Sequence, residues 1–252
     1  MRRSRFVTGL LLAAAPLLVL AQGRGRNRPP SDLPPNPRYD GRFTYARIRY
    51  TQAGSEFGGR FDVKWIHDYP RSDTHFPKIV EELTTMRVRT DSSVIVTLGD
   101  PDLMKFPFAY LCEAGYWLPS DAEVAGLRNY LLKGGFLIFD DFEGNQWYNF
   151  ETQMRRVLPE ARVLPLTVKH PIFDSFYRIE SLDYNHPIYG MPSQFYGIFE
   201  DNDPAKRIMA IVNYNNDISE YWEFSDEGLF PIDLTNEAYK LGVNYIIYAF
   251  SH

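Results

Sequence analysis

Two short stretches of this 252-residue sequence concentrate side chains that can move protons or hold a cation. The first, WIHDYPRSDTHF, carries His67, Asp68, Arg71, Asp73 and His75 within nine positions. An imidazole beside a carboxylate can serve as an acid–base pair or as two ligands of a metal ion. The spacing matches no recognised metal site. Asp73 is equally suited to cap the helical pattern after it, and Arg71 to pair with a carboxylate. The second stretch, DDFEG, supplies Asp140, Asp141 and Glu143. Carboxylates grouped this way can coordinate a hard cation or take a proton from a bound water. At a strand-to-helix turn, the same residues also serve as helix N-caps.

Those side chains need elements to position them. SVIVTLGD, PFAYLCEAG and FLIFDD are compact apolar runs that read as buried strands, and each ends on polar residues: Asp100, Cys112–Glu113 and Asp140–Asp141. Between the last two, Ser120 and Glu123 form an S-x-x-E capping box, Val124, Leu127, Leu131 and Leu132 make an apolar stripe, and Gly134-Gly135 stops the helix. Strand, helix and strand in that order predict a parallel βαβ unit with a right-handed crossover. FTYARIRY (residues 43–50) reads as an earlier strand and HFPKIVEELTTM (residues 75–86) as a helix. A helix is expected over residues 145–158, two strands joined by a DNDP turn over 193–217, and a final amphipathic helix over 234–250. Residues 162–192 show little periodicity.

In open α/β sheets, ligands bind beyond the carboxyl ends of the strands, near the point where strand order reverses. The expected cleft is therefore built from His67, Asp68, Arg71, Asp73, Glu113, Asp140, Asp141 and Glu143, with no metal and no cofactor foreseen and no catalytic residue assigned. His170 and His186 each precede proline, which places them in extended loop backbone. The aromatic groups Trp147-Tyr148-Phe150, Phe173-Phe176-Tyr177 and Phe195-Tyr196 can either stack on a sugar or fill the core.

The whole chain holds 27 basic and 32 acidic residues. Residues 1–42 contain eight arginines against Asp32 and Asp40, which leaves 19 basic and 30 acidic residues, a net of −11, over residues 43–252. Nucleic-acid binding needs a basic footprint, so it is excluded for that part. Arg2, Arg3 and Arg5 followed by the apolar run Phe6–Leu20 read as a cleavable secretory signal with cleavage after Ala21. The Arg2-Arg3 pair hints at twin-arginine export. No later run suits a membrane span. Residues 22–42, with five prolines and three glycines, read as an extended linker. The expected location is periplasmic or secreted. Cys112, the sole cysteine, excludes an intramolecular disulfide and reads as a small buried hydrophobe.

VIVTLGDP, PFAYLCEAG, PSDAEV…KGGFLIFDD, HPIFDSFY and AYKLGVNYIIYAF together resemble the family called domain of unknown function 4159, over roughly residues 43–250. The resemblance implies a class I glutamine-amidotransferase-like fold, a flavodoxin-like three-layer α/β sandwich with a mainly parallel sheet, and no established activity. Amidotransferases carry their nucleophilic cysteine in a G-x-C-x-G elbow after the strand matching FLIF. Here that elbow is Asp140-Asp141-Phe142-Glu143-Gly144, which argues against glutamine amidotransfer. The expectation is an exported, non-catalytic ligand-binding or envelope-assembly module whose partner is a small molecule, a glycan or an envelope protein. The alternative is a hydrolase or metal-dependent enzyme acting on carbohydrate or cell-envelope material.

Overall fold

A computed structural model describes residues 33–252 apart from residues 55, 58, 59 and 184. The expected secretory signal and the first part of the linker lie outside the described residues. Among the described residues the strands are β1 (Ala46–Ile48), β2 (Glu56–Phe57), β3 (Arg60–Phe61), β4 (Val94–Val96), β5 (Phe108–Cys112), β6 (Phe136–Phe142), β7 (Val163–Pro165), β8 (Gln194–Phe199) and β9 (Ile208–Tyr214). The α-helices are α1 (Ser72–Leu83), α2 (Asp121–Leu132), α3 (Trp147–Val157), α4 (Ile218–Glu223) and α5 (Ile232–Ser251). Strands β2 and β3 form a separate antiparallel pair.

The other seven strands form one sheet in the order β4-β1-β5-β6-β9-β8-β7. From β4 to β9 the pairing is parallel, and β8 and β7 extend the sheet antiparallel. The chain leaves β1 toward β4 on one side and returns to β5 on the other, so the carboxyl ends of β1 and β5 flank the switch point.

The period-2 alternation of the strands divides the core into two layers. Ala109 and Leu111 of β5 and Leu137 and Phe139 of β6 pack with Val124, Leu127 and Leu131 of α2 and with Phe150 and Met154 of α3. Phe108, Tyr110 and Cys112 of β5 and Phe136 and Ile138 of β6 pack with Phe76 and Val80 of α1, Trp222 of α4 and Leu241 of α5. This is the three-layer α/β sandwich that the βαβ pattern predicts.

The local signals act as their chemistry dictates. Ser120 and Glu123 form the capping box at the start of α2, and Gly134 takes the left-handed conformation (φ +106) that ends it. Gly126 is needed for a different reason. A Cβ at that position would lie 2.0 Å from the Leu98 carbonyl oxygen, so α2 rests directly on the backbone after β4. Gly126→Ala is expected to destabilise the fold by about 1–3 kcal/mol through overpacking. Urea denaturation with an unchanged midpoint would show that no such close approach exists.

Two regions differ from expectation. Residues 33–42, read as linker, lie against the domain. The Asn36 side chain accepts from Ile95 N–H and donates to Ile95 C=O at 2.9 and 2.8 Å, pairing the exposed edge of β4 as a neighbouring strand would. Tyr39 meets Phe106 edge-on, and Arg89 binds Asp40 at 2.6 Å. Strand β7 emerges from the aperiodic stretch. It is three residues long and ends on Pro165, which suits an edge strand and leaves no alternation to detect.

Candidate functional site

The carboxyl ends of β5 and β6 and the segment after β9 converge on one buried polar cluster. Glu113 directly follows β5, its N–H donates to the Asp140 carbonyl at 2.9 Å, and the Tyr50 hydroxyl donates to the carbonyls of Cys112 and Glu113 at 2.9 Å each. Asp141 lies near the end of β6, where the register with β9 shifts, and its N–H donates to the Asn216 carbonyl at 3.1 Å. The loop carrying His67 is pinned from beneath. The Arg47 guanidinium, fully buried on β1, donates to the carbonyls of Trp65 and His67 at 3.2 and 3.0 Å. Gln52 accepts from Lys64 N–H at 2.8 Å and donates to the Asp62 carbonyl at 2.7 Å.

His67 occupies the centre. Its Nε2 meets Asp62 Oδ1 at 2.9 Å, while Nδ1 faces Glu113 Oε1 at 3.0 Å and Asp141 Oδ2 at 3.6 Å. Lys64 Nζ bridges Asp62 and Glu113 at 2.8 Å each. The Tyr189 hydroxyl donates to Asp141 Oδ1. Next to this group, the Ser219 hydroxyl donates to Asp68 Oδ2 at 2.6 Å and also lies 3.1 Å from Asp217 Oδ1. Donor atoms of His67, Glu113 and Asp141 lie within 4.8 Å of one another, as do those of Asp68, Asp141 and Asp217, so Asp141 is common to both groups. His67 and Asp141 are 4% exposed and Glu113 7%, so these charges interact with little screening by water.

Backbone geometry marks the same residues. Asp68 (φ 65), Glu113 (φ 53), Asp141 (φ 56) and Asn215 (φ 55) all adopt the left-handed conformation without being glycine. Such a conformation costs about 1–2 kcal/mol per residue, and it concentrates at sites where a side chain must be aimed.

Burial is the largest influence on His67 and lowers its pKa, but the neighbouring carboxylates of Asp141, Asp62 and Glu113 overcome it and hold the ring well above its ordinary value. Asp62 falls to about 2, because its bonds to His67 and Lys64 outweigh burial. Asp140 rises to about 8, chiefly through burial, with the charge of Asp141 adding to the rise and the Tyr110 hydrogen bond opposing it. Burial and the carboxylate of Asp141 also push Asp217 well up.

The structure brings His67, Asp68, Glu113 and Asp141 together. Asp140 lies behind them, where its Oδ2 accepts from Tyr110 at 2.8 Å and from the N–H groups of Ile218 and Ser219 at 3.0 and 3.3 Å. It thus caps α4 from another part of the chain. Glu143 stands half-buried at the rim, with its N–H bonded to Gln146 Oε1 at 2.9 Å. Two expected members lie elsewhere. Arg71 reaches outward to the exposed Asp226 and Glu227. Asp73 does not cap α1. It lies inside the first turn and binds the Arg47 Nε at 3.0 and 3.1 Å through its two oxygens, because a buried guanidinium requires a countercharge. His75 is not a partner of His67, since its Nδ1 meets the Trp222 carbonyl at 2.8 Å.

The aromatic groups divide in the same way. Phe150, Phe173 and Phe195 fill the core, whereas Trp147 packs against Tyr196 and Tyr214 at ring separations of 4.9 Å beside the rim. Cys112 is buried and its thiol lies 3.3 Å from the Lys64 carbonyl and 3.3 Å from an Arg47 nitrogen, while burial pushes its pKa well up. It is buried in the core, as expected.

Asp62, Lys64, Tyr189, Asp217 and Ser219 were not among the residues singled out from sequence. Asp62 and Lys64 border the histidine-rich stretch, and Asp217 ends NYNND at the close of a strand, so the strand-end rule reaches it. Tyr189 sits in the aperiodic segment, where nothing in the sequence distinguishes it.

The family model of Domain of unknown function (DUF4159) matches residues 44–250. The chain belongs to the DUF4159 family. No curated protein matches the chain. The DUF4159 match spans every element that frames the cluster, from β1 through α5. Among the described residues, no helix of this DUF4159 protein is long and apolar enough to cross a membrane.

Proposed function

We propose that this DUF4159 protein is an exported ligand-binding domain of the cell envelope, with its binding site at the His67–Glu113–Asp141 cluster on the carboxyl edge of the sheet. One observation carries the reading: Glu113 and Asp141 hold left-handed backbone while facing one buried histidine at the strand ends, and left-handed Asp68 groups with Asp141 beside them. Ordinary core packing gains nothing from that strain, whereas a site that must aim carboxylates does. Binding is favoured over covalent catalysis by the state of the nucleophile candidates. The Cys112 thiol is enclosed, and the Ser219 hydroxyl is fully buried among Asp68, Asp217 and Tyr110.

The basic and apolar N-terminus supports export, and the proline-rich segment after it supports a short spacer before residue 33. Intact mass of the protein recovered from the periplasmic fraction is expected to correspond to a chain starting at Gln22.

Cell-wall oligosaccharides and muropeptides titrated onto the ¹⁵N-labelled protein are expected to perturb the resonances of His67 and Tyr189, with the effect lost in Asp141→Asn. Perturbation confined to the groove of about 490 Å³ between α3 and β7, where Trp147, Met154, Leu158 and Val163 form the floor, would move the site and refute the assignment.

The hydrolytic alternative has one observation in its favour, the Asp62–His67 pair, which orients an imidazole as a general base is oriented. Turnover of such a glycan, abolished by His67→Gln, would replace the binding reading.

A further inference from the structure

The tautomer of His67 leads further. Its Nε2 lies 2.9 Å from Asp62 Oδ1, and a carboxylate there accepts the ring N–H, so Nδ1 is the ring nitrogen left to hold either a proton or a metal ion. Nδ1 points into the acidic cluster, 3.0 Å from Glu113 Oε1 and 3.6 Å from Asp141 Oδ2, yet it makes an aligned hydrogen bond to neither, and the side chain is 4% exposed. A ring nitrogen facing two carboxylates away from water needs a positive charge between them, either a proton on Nδ1 that is poorly aligned with both carboxylates or a metal ion in its place.

We infer that His67 Nδ1, Glu113 and Asp141 form the binding site of a divalent transition-metal cation, with Asp62 as the residue that orients the histidine. This rests on the ligand-site reading above and names the ligand. Three features support it. The donor atoms of the three residues lie within 4.8 Å of one another, so one ion with bonds of about 2.0–2.2 Å can reach all three after sub-ångström adjustment. A carboxylate on the far ring nitrogen is the partner that metal-bound histidines ordinarily have, since it fixes the tautomer and raises ligand basicity. Lys64, at 2.8 Å from both Asp62 and Glu113, holds these two carboxylates in place. The mixed nitrogen and oxygen donor set selects zinc, manganese or ferrous iron over calcium or magnesium, which favour oxygen alone. Asp68 and Asp217, grouped with Asp141 on its other side, add oxygen donors next to the site.

The test uses the full chain, stripped with chelator and titrated with Zn²⁺, and in a parallel arm with Mg²⁺ and Ca²⁺. One equivalent of zinc is expected to bind, with a large change in the His67 Nδ1 nitrogen resonance and weak or no binding of the other two ions. His67→Gln, Glu113→Gln and Asp141→Asn are each expected to abolish stoichiometric binding. Asp62→Asn is expected to weaken it about 10–100-fold, and His75→Gln to leave it unchanged. If a variant fails to fold by circular dichroism, the Nδ1 resonance of the unaltered chain decides alone.

Substoichiometric zinc, zinc retained in folded His67→Gln, or a His67 Nδ1 resonance that zinc does not move would each overturn the inference. If zinc fails while glycan fragments still perturb His67 and Tyr189, the cation falls and the ligand site stands. If both fail, the ligand-site reading falls as well.

Discussion

Replacing Arg47 by leucine is expected to destabilise the domain by roughly 3–5 kcal/mol, the usual cost of leaving one partner of a buried ion pair without its countercharge. Arg47 is fully buried, and its guanidinium binds both oxygens of Asp73, the Ser72 hydroxyl at 3.1 Å and the carbonyls of Trp65 and His67. The substitution strands the Asp73 carboxylate in the layer beneath α1 and releases the loop that aims His67. Removing both charges, in Arg47→Leu with Asp73→Leu, is expected to recover much of the loss, because two apolar side chains carry no desolvation penalty. Guanidinium denaturation of the single and double variants measures the difference. A double variant no more stable than the single one would show that the pair is not the source of the effect. The double variant also separates stability from site geometry: it is expected to refold while remaining impaired at His67, because the two carbonyls Arg47 holds stay unanchored.

Asp140 gives the second large effect, and it appears as a dependence on pH. Its carboxyl titrates at about 8 in the fold, where burial and the neighbouring Asp141 oppose ionisation, against an ordinary value of 3.8. Between those values the folded chain carries a proton that the unfolded chain has lost. Stability from this group is therefore complete below about pH 4, declines as pH rises, and stops declining above about 8. The slope over the window approaches about 1.4 kcal/mol per pH unit. Asp140→Asn keeps an oxygen for the N–H groups of Ile218 and Ser219 but cannot ionise. In chelator, the unaltered protein is expected to lose stability between pH 5 and pH 8 much more steeply than Asp140→Asn, on the order of 4 kcal/mol over the window. Parallel stability curves for the two proteins would sink the assignment of a neutral Asp140. A carboxyl titrating near neutrality also invites a role as general acid. Its full burial and its place at the N-terminus of α4 instead give it a structural task.

The features legible in the sequence are those decided within one or two turns of chain. The Ser120–Glu123 capping box, the Gly134 stop and the apolar stripe of α2 are local, and they alone define the βαβ unit of β5, α2 and β6. The acidic ends of those strands are legible for the same reason, since a strand that is apolar throughout and then turns polar shows where the sheet meets solvent or a site. Strand β7 was not legible, because three residues at an edge carry no periodicity. The docking of residues 33–42 was hidden by their proline-rich composition, although one asparagine is enough to satisfy the free edge of β4.

Membership of the candidate site was legible only in part, and particular residues show why. His67, Asp68, Arg71 and Asp73 stand together in the chain, yet they diverge in space. A turn of backbone sends Arg71 to solvent and Asp73 inward onto Arg47 of β1, while left-handed Asp68 points to Ser219, 151 residues further along. Asp217 joins the cluster from the end of another strand, and Tyr189 joins it from a segment without periodicity. The sequence by itself determined the elements of the parallel core and the acidic character of their strand ends, since propensity, capping and hydrophobic period act over a few residues. The tertiary structure alone decided which acid faces which base, because crossover connections bring together strand ends that lie tens of residues apart and burial then dictates which charges must pair.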